Sequence, residues 1–205
     1  MSRQLREDPR IVRTRQLIVK AFQELLSEKP FEALTIQEIA DRATVNRVTF
    51  YAHFADKYVL LDVAFQESFQ SELRAHLPSD AALSLTNLHL LIQMVCEFLI
   101  HAYTHCAPSG RAHIEAGIGR HLQQELYDFL LAWLLPLESV QSTAELRATI
   151  ASWAIYGVAK QWSEGKRNES LQDFVQQALP MIAVGFGVDA NGAKKADRLA
   201  RTVVG

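Results

Sequence analysis

Apolar residues recur along this chain at intervals of three and four, the spacing that places them on one face of a helix. The first such stripe lies within residues 11–28 and ends before Pro30, because a proline disfavours helical geometry in the residue that precedes it. The segment Thr35-Ile36-Gln37-Glu38 has the form of a capping box, which marks a helix start. Asn46 and Asp56 have the side chains of further N-caps. The pattern therefore predicts helices over 11–28, 35–42, 46–54 and 57–76.

The second half of the chain has longer and more apolar stripes, separated by Pro108-Ser109-Gly110, Pro136 and Gly165. It contains no sustained strand-like alternation, no internal repeat and no low-complexity segment. These features predict an all-α fold with a head over 1–56, a helical domain over 57–187 that begins with a connecting helix (57–76), and a poorly ordered tail over 188–205. The predicted helices of the second half are 84–106, 111–119, 121–135, 143–164 and 170–185.

Composition narrows the class of protein. The chain has 205 residues, is 49% hydrophobic and 21% charged, and carries a formal net charge of −2, which excludes a uniformly basic nucleic-acid coat. Two cysteines make no disulfide framework and suit a reducing, cytoplasmic compartment. The first fifteen residues contain no apolar run, so we expect no secretory signal. Polar residues such as Gln93 and Glu97 interrupt the apolar stretches, so we expect no lipid-spanning helix and no membrane partner.

Charge is distributed unevenly. Residues 1–60 hold ten Lys and Arg against eight Asp and Glu, whereas residues 61–205 hold eleven against fifteen. The strongest local excess is in residues 1–20, with six basic residues against Glu7 and Asp8. A basic N-terminus is either a solvated arm or an arm that contacts phosphates, and the segment that follows it decides between the two.

The predicted helices 35–42 and 46–54 are joined by Ala43-Thr44-Val45, a connection of helix-turn-helix length. Val45 and Val48 are apolar where the second of these helices would rest on its neighbours. Side chains of Asn, Arg, Thr and His can hydrogen-bond base edges or contact thymine methyl groups in the major groove. The same pattern also occurs in three-helix bundles that never contact DNA. The positions of the second helix that this arrangement predicts to be exposed are Asn46, Arg47, Thr49, Phe50 and His53.

The stretch LTIQEIADRATVNRVTFYAHFADKYVLLD resembles the DNA-binding signature of the TetR family of transcriptional regulators, and the resemblance extends over about residues 11–62. It implies a three-helix helix-turn-helix head followed by a helical ligand-binding and dimerisation domain. It also implies that Phe54 is a core residue and that an arm with Arg10, Arg13 and Arg15 reaches the DNA. The residues that it assigns to double-stranded DNA are Thr35, Tyr51 and Lys57 for phosphates, and Arg47 and Thr49, with Asn46 and His53 nearby, for the groove.

The resemblance further implies a homodimer built by the last two long helices and a pocket for a small hydrophobic or amphipathic effector. Glu97 and His101 are four residues apart, share a helix face, and would be the polar groups of that pocket or an exposed ion pair. The predicted pocket residues are Met94, Glu97, Phe98, His101, Tyr103, Trp133, Trp153 and Tyr156. The predicted dimer residues are Ala151, Ala154, Gly157, Val158, Phe174 and Ala178, which would otherwise belong to the core of one chain.

Two positions depart from the family pattern. Thr44 stands where the turn usually has glycine, and a left-handed conformation there would cost about 1 kcal/mol. Ala52 stands where a phosphate-contacting residue is common, so one backbone contact is expected to be missing. Each signature residue also has a structural interpretation: Lys57 as a solvated surface charge, for example, or Arg47 in an ion pair across the turn.

Other functions have weaker signals. His101, His105 and Cys106 lie close in sequence, but there is no HExxH motif, no Cys-x2-Cys pair and no third ligand in register, so we expect no metal and no cofactor. The chain also lacks a nucleophile elbow and a glycine-rich phosphate loop, so we expect no catalytic residues. The sequence thus predicts a ligand-responsive repressor that binds a palindromic operator. The alternatives are an activator or ligand-independent regulator on the same scaffold, a metal-dependent helical enzyme and a helical adaptor that never meets DNA.

Overall fold

The computed structural model describes residues 8–77, 83–104, 117–165 and 169–186. Over these residues it contains eight α-helices, one 3₁₀ turn (Phe31–Ala33) and no strand, which confirms the predicted all-α class. The helices are α1 (Pro9–Glu28), α2 (Ile36–Arg42), α3 (Arg47–His53), α4 (Lys57–His76), α5 (Leu85–Thr104), α6 (Ile118–Leu134), α7 (Gln141–Glu164) and α8 (Leu171–Gly185).

The helix ends follow local signals in the sequence. The predicted connecting helix 57–76 coincides with α4. α1 begins two residues before the prediction, because the Asp8 carboxylate accepts the backbone N–H of Arg10 at 2.9 Å and Pro9 occupies the first helical position. The predicted helix 111–119 falls largely outside the described residues, and its last two residues belong to α6 instead. The predicted tail, 188–205, also lies outside them.

The chain divides into two compact units. Of the described residues, the first unit takes those up to Ser68 and those within Ala102–Ile118, and the second takes the remainder. The first unit thus extends past the predicted boundary at residue 56, since Leu60 and Leu61 of α4 are buried in it.

The first unit is held together by a core of phenylalanine and aliphatic side chains. Phe22 of α1 meets Phe31 edge to face, with ring centroids 6.2 Å apart. α1 packs on α2, and α2 packs on α3. The Arg42 guanidinium of α2 donates to both carboxylate oxygens of Glu28 on α1, at 2.8 and 3.0 Å. This bidentate pair fixes the angle between the two helices, although an exposed ion pair adds little stability.

The second unit contains an unusually apolar helix. By length and composition alone, α5 is long and apolar enough to cross a membrane, with a mean hydropathy of 1.3. Half of its apolar stretch is buried inside the molecule. A buried core helix meets the same two criteria, and Leu91, Ile92 and Val95 are buried here. Burial also raises the pKa of the Cys96 thiol to about 12, so this cysteine is an inert core residue.

Candidate nucleic-acid interface

α2 begins with the predicted capping box. The Glu38 backbone N–H donates to the Thr35 hydroxyl oxygen at 3.3 Å, and the Thr35 backbone N–H donates to the Glu38 carboxylate at 3.0 Å. The Thr35 hydroxyl also donates to that carboxylate, at 2.8 Å. The Lys29 ammonium donates to it as well, and these bonds lower the pKa of Glu38 to about 2.

The turn between α2 and α3 contains a left-handed residue. Thr44 has a φ of 58°. The Thr44 backbone N–H donates to the Asp41 carbonyl at 3.1 Å, and the Val45 backbone N–H donates to the Ala40 carbonyl at 2.9 Å. These two bonds form the Schellman motif that commonly ends a helix, and its left-handed position usually holds glycine. The structure therefore confirms that Thr44 adopts the strained conformation that the sequence indicated.

α3 begins at the predicted cap. The Asn46 side-chain oxygen accepts the backbone N–H of Thr49 at 2.7 Å and the Thr49 hydroxyl at 3.0 Å. Asn46 is exposed and Thr49 is half-buried. Both predicted groove residues thus stabilise the first turn of α3, and these two bonds leave the N–H donors of the Asn46 amide and the Thr49 methyl group unused.

The rotation of α3 about its own axis differs from the prediction. Phe50, expected to be exposed, is fully buried, and Val48, expected to be buried, is 79% exposed. Phe50 and Phe54 lie one turn apart, with ring centroids at 5.9 Å, and both face the core. Because two phenylalanines bury more apolar area than two valines, they determine which side of α3 packs inward.

The outward side of α3 is termed the reading face here, and it consists of Arg47, Val48, Tyr51 and Ala52, all of them exposed. The guanidinium carbon of Arg47 lies 6.0 Å from the centre of the Tyr51 ring, and the guanidinium approaches the Tyr51 hydroxyl oxygen at 3.5 Å. Within the described residues Arg47 forms no ion pair, so its donors point to solvent beside Tyr51. His53 is half-buried against Phe54 and lies off this face.

The Lys57 ammonium is used in hydrogen bonds to the backbone of this chain. Its ammonium donates to the backbone carbonyls of Leu34, Phe31 and Glu32 at 2.9, 3.1 and 3.3 Å, and it lies 4.6 Å from the centre of the Phe31 ring. The residue is half-buried and closes the 3₁₀ turn that leads into α2. A phosphate contact by Lys57 would have to displace at least one of these three carbonyl oxygens.

Thr35 is committed in the same way, because the capping box uses both its hydroxyl and its backbone N–H. The neighbouring Glu38 carboxylate is negatively charged and would repel a phosphate at this helix start. The expected arm is also organised differently, since Arg10, Arg13 and Arg15 belong to α1. Arg10 and Arg13 are exposed, whereas the Arg15 guanidinium lies 5.5 Å from the centre of the Phe54 ring.

The predicted pocket residues divide into buried and exposed groups. In the second unit Met94, Phe98 and Trp133 are buried, and in the first unit Tyr103 is buried. Tyr156 is half-buried. The predicted polar handles Glu97 and His101 are both exposed, and the Glu97 carboxylate accepts a hydrogen bond from Gln93 at 2.9 Å. Trp153 is 56% exposed, so the structure contradicts its assignment to an internal pocket.

Helices α7 and α8 each leave an apolar side exposed. On α7 the exposed stripe is Leu146, Ile150 and Trp153, at 61, 56 and 56%, and it continues through Gly157. On α8 the exposed apolar residues are Met181 and Val184, at 79 and 71%. These five large side chains and Gly157 are called the α7–α8 face below.

The predicted dimer residues occupy several positions relative to this face. Gly157 lies on it. Ala151 and Ala178 are buried within the chain, which contradicts their assignment to a partner contact. Ala154 and Val158 are half-buried beside the face, and Phe174 is half-buried with its ring 4.9 Å from that of Trp162. Apart from Gly157, the residues that sequence spacing selected on these two helices lie away from the exposed apolar side, and the dimer interface itself stays a prediction.

Metal binding has little support among the described residues, which contain no group of three or more His, Cys, Asp or Glu side chains that could hold an ion. His105 and Cys106, on which the metal-enzyme alternative depends, lie outside the described residues.

The head is thus a helix-turn-helix of the DNA-binding class, with a capped α2, a tight turn and an α3 whose polar and apolar side chains project outward. Residues 18–64 match the sequence model of the bacterial regulatory proteins of the tetR family. A curated relative, the uncharacterised HTH-type transcriptional regulator YxbF of Bacillus subtilis, is 42% identical over 62 residues. That match spans 30% of this chain and 16% of the relative. The resemblance seen in the sequence is confirmed over residues 18–64, which are similar to the N-terminal domain of the tetR family.

Solved structures extend the likeness of fold to most of the chain. A tetR-family transcriptional regulator from Streptomyces coelicolor superposes with a TM-score of 0.57 at 21% identity, over 93% of this chain and 90% of that one. Thermus thermophilus FadR, a TetR-family repressor solved in complex with lauroyl-CoA, gives 0.55 at 20% identity, over 83% and 94%. The second unit therefore has the fold seen in such regulators, which confirms the predicted combination of a helix-turn-helix head with a helical C-terminal domain.

Proposed function

We propose that this protein is a bacterial transcriptional regulator that binds a palindromic operator in double-stranded DNA as a homodimer, acts in the cytoplasm, and is a repressor released by a small hydrophobic or amphipathic effector. The observation that carries the proposal is the reading face of α3, where Arg47 is exposed and forms no ion pair with any described residue. The opposite side of this helix is anchored by Phe50 and Phe54. A helix held in this way can enter a major groove without unfolding any of the core.

The contacts to DNA follow from the groups that remain available. Arg47 has five donors in a planar fork and suits the O6 and N7 acceptors of guanine. The Tyr51 hydroxyl and the exposed Arg10 and Arg13 on α1 are the donors that we assign to phosphates. Lys57 we assign first to the carbonyls of the 3₁₀ turn, where it positions α2 and hence α3.

Dimerisation is proposed through the α7–α8 face. Exposed side chains of Leu, Ile, Trp, Met and Val on two helices that pack together mark an interaction surface. Gly157 supports this choice, because a Cβ atom built at that position would meet nothing within 4 Å and a mid-helix glycine costs about 1 kcal/mol relative to alanine. The described residues of the chain thus give no steric reason for a glycine at this position. A partner helix that packs closely against it would give one.

Regulation is proposed to reside in the second unit, on fold likeness and on its large apolar core. FadR of Thermus thermophilus was solved with lauroyl-CoA, and its similarity to this chain is one of fold. We propose an effector of the same broad character, apolar or amphipathic, without assigning its identity. Such a molecule would release DNA only by binding more tightly to a conformation whose two α3 helices no longer fit successive grooves.

The test starts with the full chain and a pool of random-sequence duplexes, from which bound fragments are selected and sequenced. We expect an enriched palindrome whose half-sites are about one helical turn apart. Binding should weaken steeply between about 50 and 200 mM salt, because phosphate contacts dominate the affinity. Arg47→Ala should lose roughly 5- to 150-fold in affinity, corresponding to about 1–3 kcal/mol, and relax base preference at one position of each half-site.

Arg74→Ala is the matched control, since it removes the same charge from an exposed residue of α4 outside the head. It should leave the selected sequence and the affinity unchanged. Failure to enrich any sequence at low salt would refute DNA recognition, and it would favour the helical adaptor instead.

A further inference from the structure

Among the described residues of the first unit, Val48 is the most exposed large apolar one, with 79% of its surface open to solvent. It cannot turn inward, because Phe50 and Phe54 are both buried and fix the rotation of α3. A valine here also gains nothing for folding, since β-branched residues are weaker helix formers than alanine and the side chain is not buried.

The neighbours of Val48 suggest what covers it. Arg47 precedes it and Tyr51 lies one turn further on the same side of α3. Ala52 is exposed as well, one turn beyond Val48. The reading face is therefore half polar and half apolar, with Val48 and Ala52 forming a short apolar strip beside the guanidinium.

The major groove offers one apolar group on its base edges, the C5 methyl of thymine. The other groups there are hydrogen-bond donors and acceptors, which an isopropyl side chain cannot satisfy and would only strip of water. An apolar strip next to an arginine accordingly matches a guanine with a thymine beside it.

We infer that Val48 is a specificity-determining residue that selects a thymine methyl group adjacent to the guanine contacted by Arg47. The inference rests on the proposed function and deepens it, since it states what each half-site contains. Burial of one methyl-sized group against Val48 corresponds to about a fourfold gain in affinity per half-site, and to roughly 15-fold for two symmetric half-sites.

The experiment uses the duplex selected above by the wild-type chain. Each thymine of that duplex is replaced singly by deoxyuridine, which removes the methyl group and keeps every hydrogen-bonding group, and affinity is measured by fluorescence anisotropy. We expect one thymine position per half-site at which the wild type loses about fourfold. Val48→Ser should bind the thymine duplex more weakly and lose the distinction between thymine and uracil at that position.

Val59→Ser is the matched control, because Val59 is an exposed valine on α4, outside the reading face. It should keep the wild-type ratio between the two duplexes. Val48→Ala provides a second variant with a good helix former, and it should reduce the ratio without affecting folding.

The outcomes separate the two proposals. Suppose that a sequence is enriched, but that Val48→Ser and the wild type show the same affinity ratio between thymine and deoxyuridine duplexes at every position. The role of Val48 is then overturned, while DNA recognition stands. If no sequence is enriched, the proposed function fails and the inference fails with it.

Discussion

Replacement of Thr44 by glycine should stabilise the first unit. Thr44 adopts a φ of 58°, and a left-handed conformation costs an L-residue with a side chain about 1–2 kcal/mol. Glycine removes that cost, but its greater freedom in the unfolded chain returns about 0.4–1 kcal/mol. The two Schellman hydrogen bonds use only backbone atoms and are retained. The difference between these two contributions is about 0–1.6 kcal/mol, so we expect Thr44→Gly to raise the free energy of unfolding by about 0.8 kcal/mol, the middle of that range.

Removal of the Thr44 side chain should cost little stability. The Thr44 side chain is exposed, and within the described residues its hydroxyl makes no hydrogen bond. Thr44→Ala is the matched control, because alanine loses the hydroxyl and the β-branch yet retains the Cβ atom that makes the left-handed conformation costly. It should remain close to the wild type in stability, so the difference between glycine and alanine isolates the backbone contribution.

Urea denaturation followed by far-UV circular dichroism measures the effect, and the dependence of free energy on urea should not change. The thermal midpoint should rise by roughly 1–4 °C. Tryptophan fluorescence provides a second probe, which reports on unfolding of the second unit because Trp133, Trp153 and Trp162 all belong to it. If glycine and alanine at position 44 gave equal stabilities, the left-handed turn would carry no strain and the reasoning would be refuted.

Three further predictions concern other contacts. The pKa of Glu38 is about 2 in the folded chain against an ordinary 4.5, so its contribution to stability is complete above pH 4.5 and is lost as the pH falls towards 2. In Glu38→Gln the free energy of unfolding should therefore depend less on pH between 4.5 and 2 than in the wild type, and the same pH dependence in both proteins would contradict this prediction. Lys57→Met should lower the free energy of unfolding by about 1–3 kcal/mol in urea titrations, and it should change the slope of log affinity for DNA against log salt concentration by well under one. A slope change near one with unchanged stability would show instead that Lys57 contacts a phosphate. Trp153→Glu should convert the dimer to monomer in sedimentation velocity with unchanged helicity, and a persistent dimer would place the interface elsewhere.

Helix boundaries were predictable because their signals are local. The Thr35–Glu38 box, the Asn46 cap and Pro30 each act on residues within one turn, and α2, α3 and α4 begin within one residue of the predicted positions. The signature that identified the family combines these caps with Phe54 and Tyr51. Such features can be seen in a single sequence because they require no knowledge of distant contacts.

The rotation of α3 was not predictable in the same way. The helix has seven residues, two turns, and apolar side chains occur on both of its sides. Burial of Val48 and burial of Phe50 each satisfied the periodic pattern, and the larger ring decided between them once the core was assembled. The role of Lys57 was hidden for a different reason, since its partners are backbone carbonyls of Leu34, Phe31 and Glu32, more than twenty positions earlier in the chain.

Three residues break a local rule of folding, and none of the residues that the structure describes compensates for it. Thr44 takes a conformation that favours glycine, Val48 exposes an isopropyl group on a helix, and Gly157 interrupts a helix in which its missing side chain touches nothing. Local rules are broken most often where function requires it. Two of the three lie in or beside α3 and the third lies on the α7–α8 face. Under the proposed function, these two places are the surfaces that would meet DNA and a second copy of the chain.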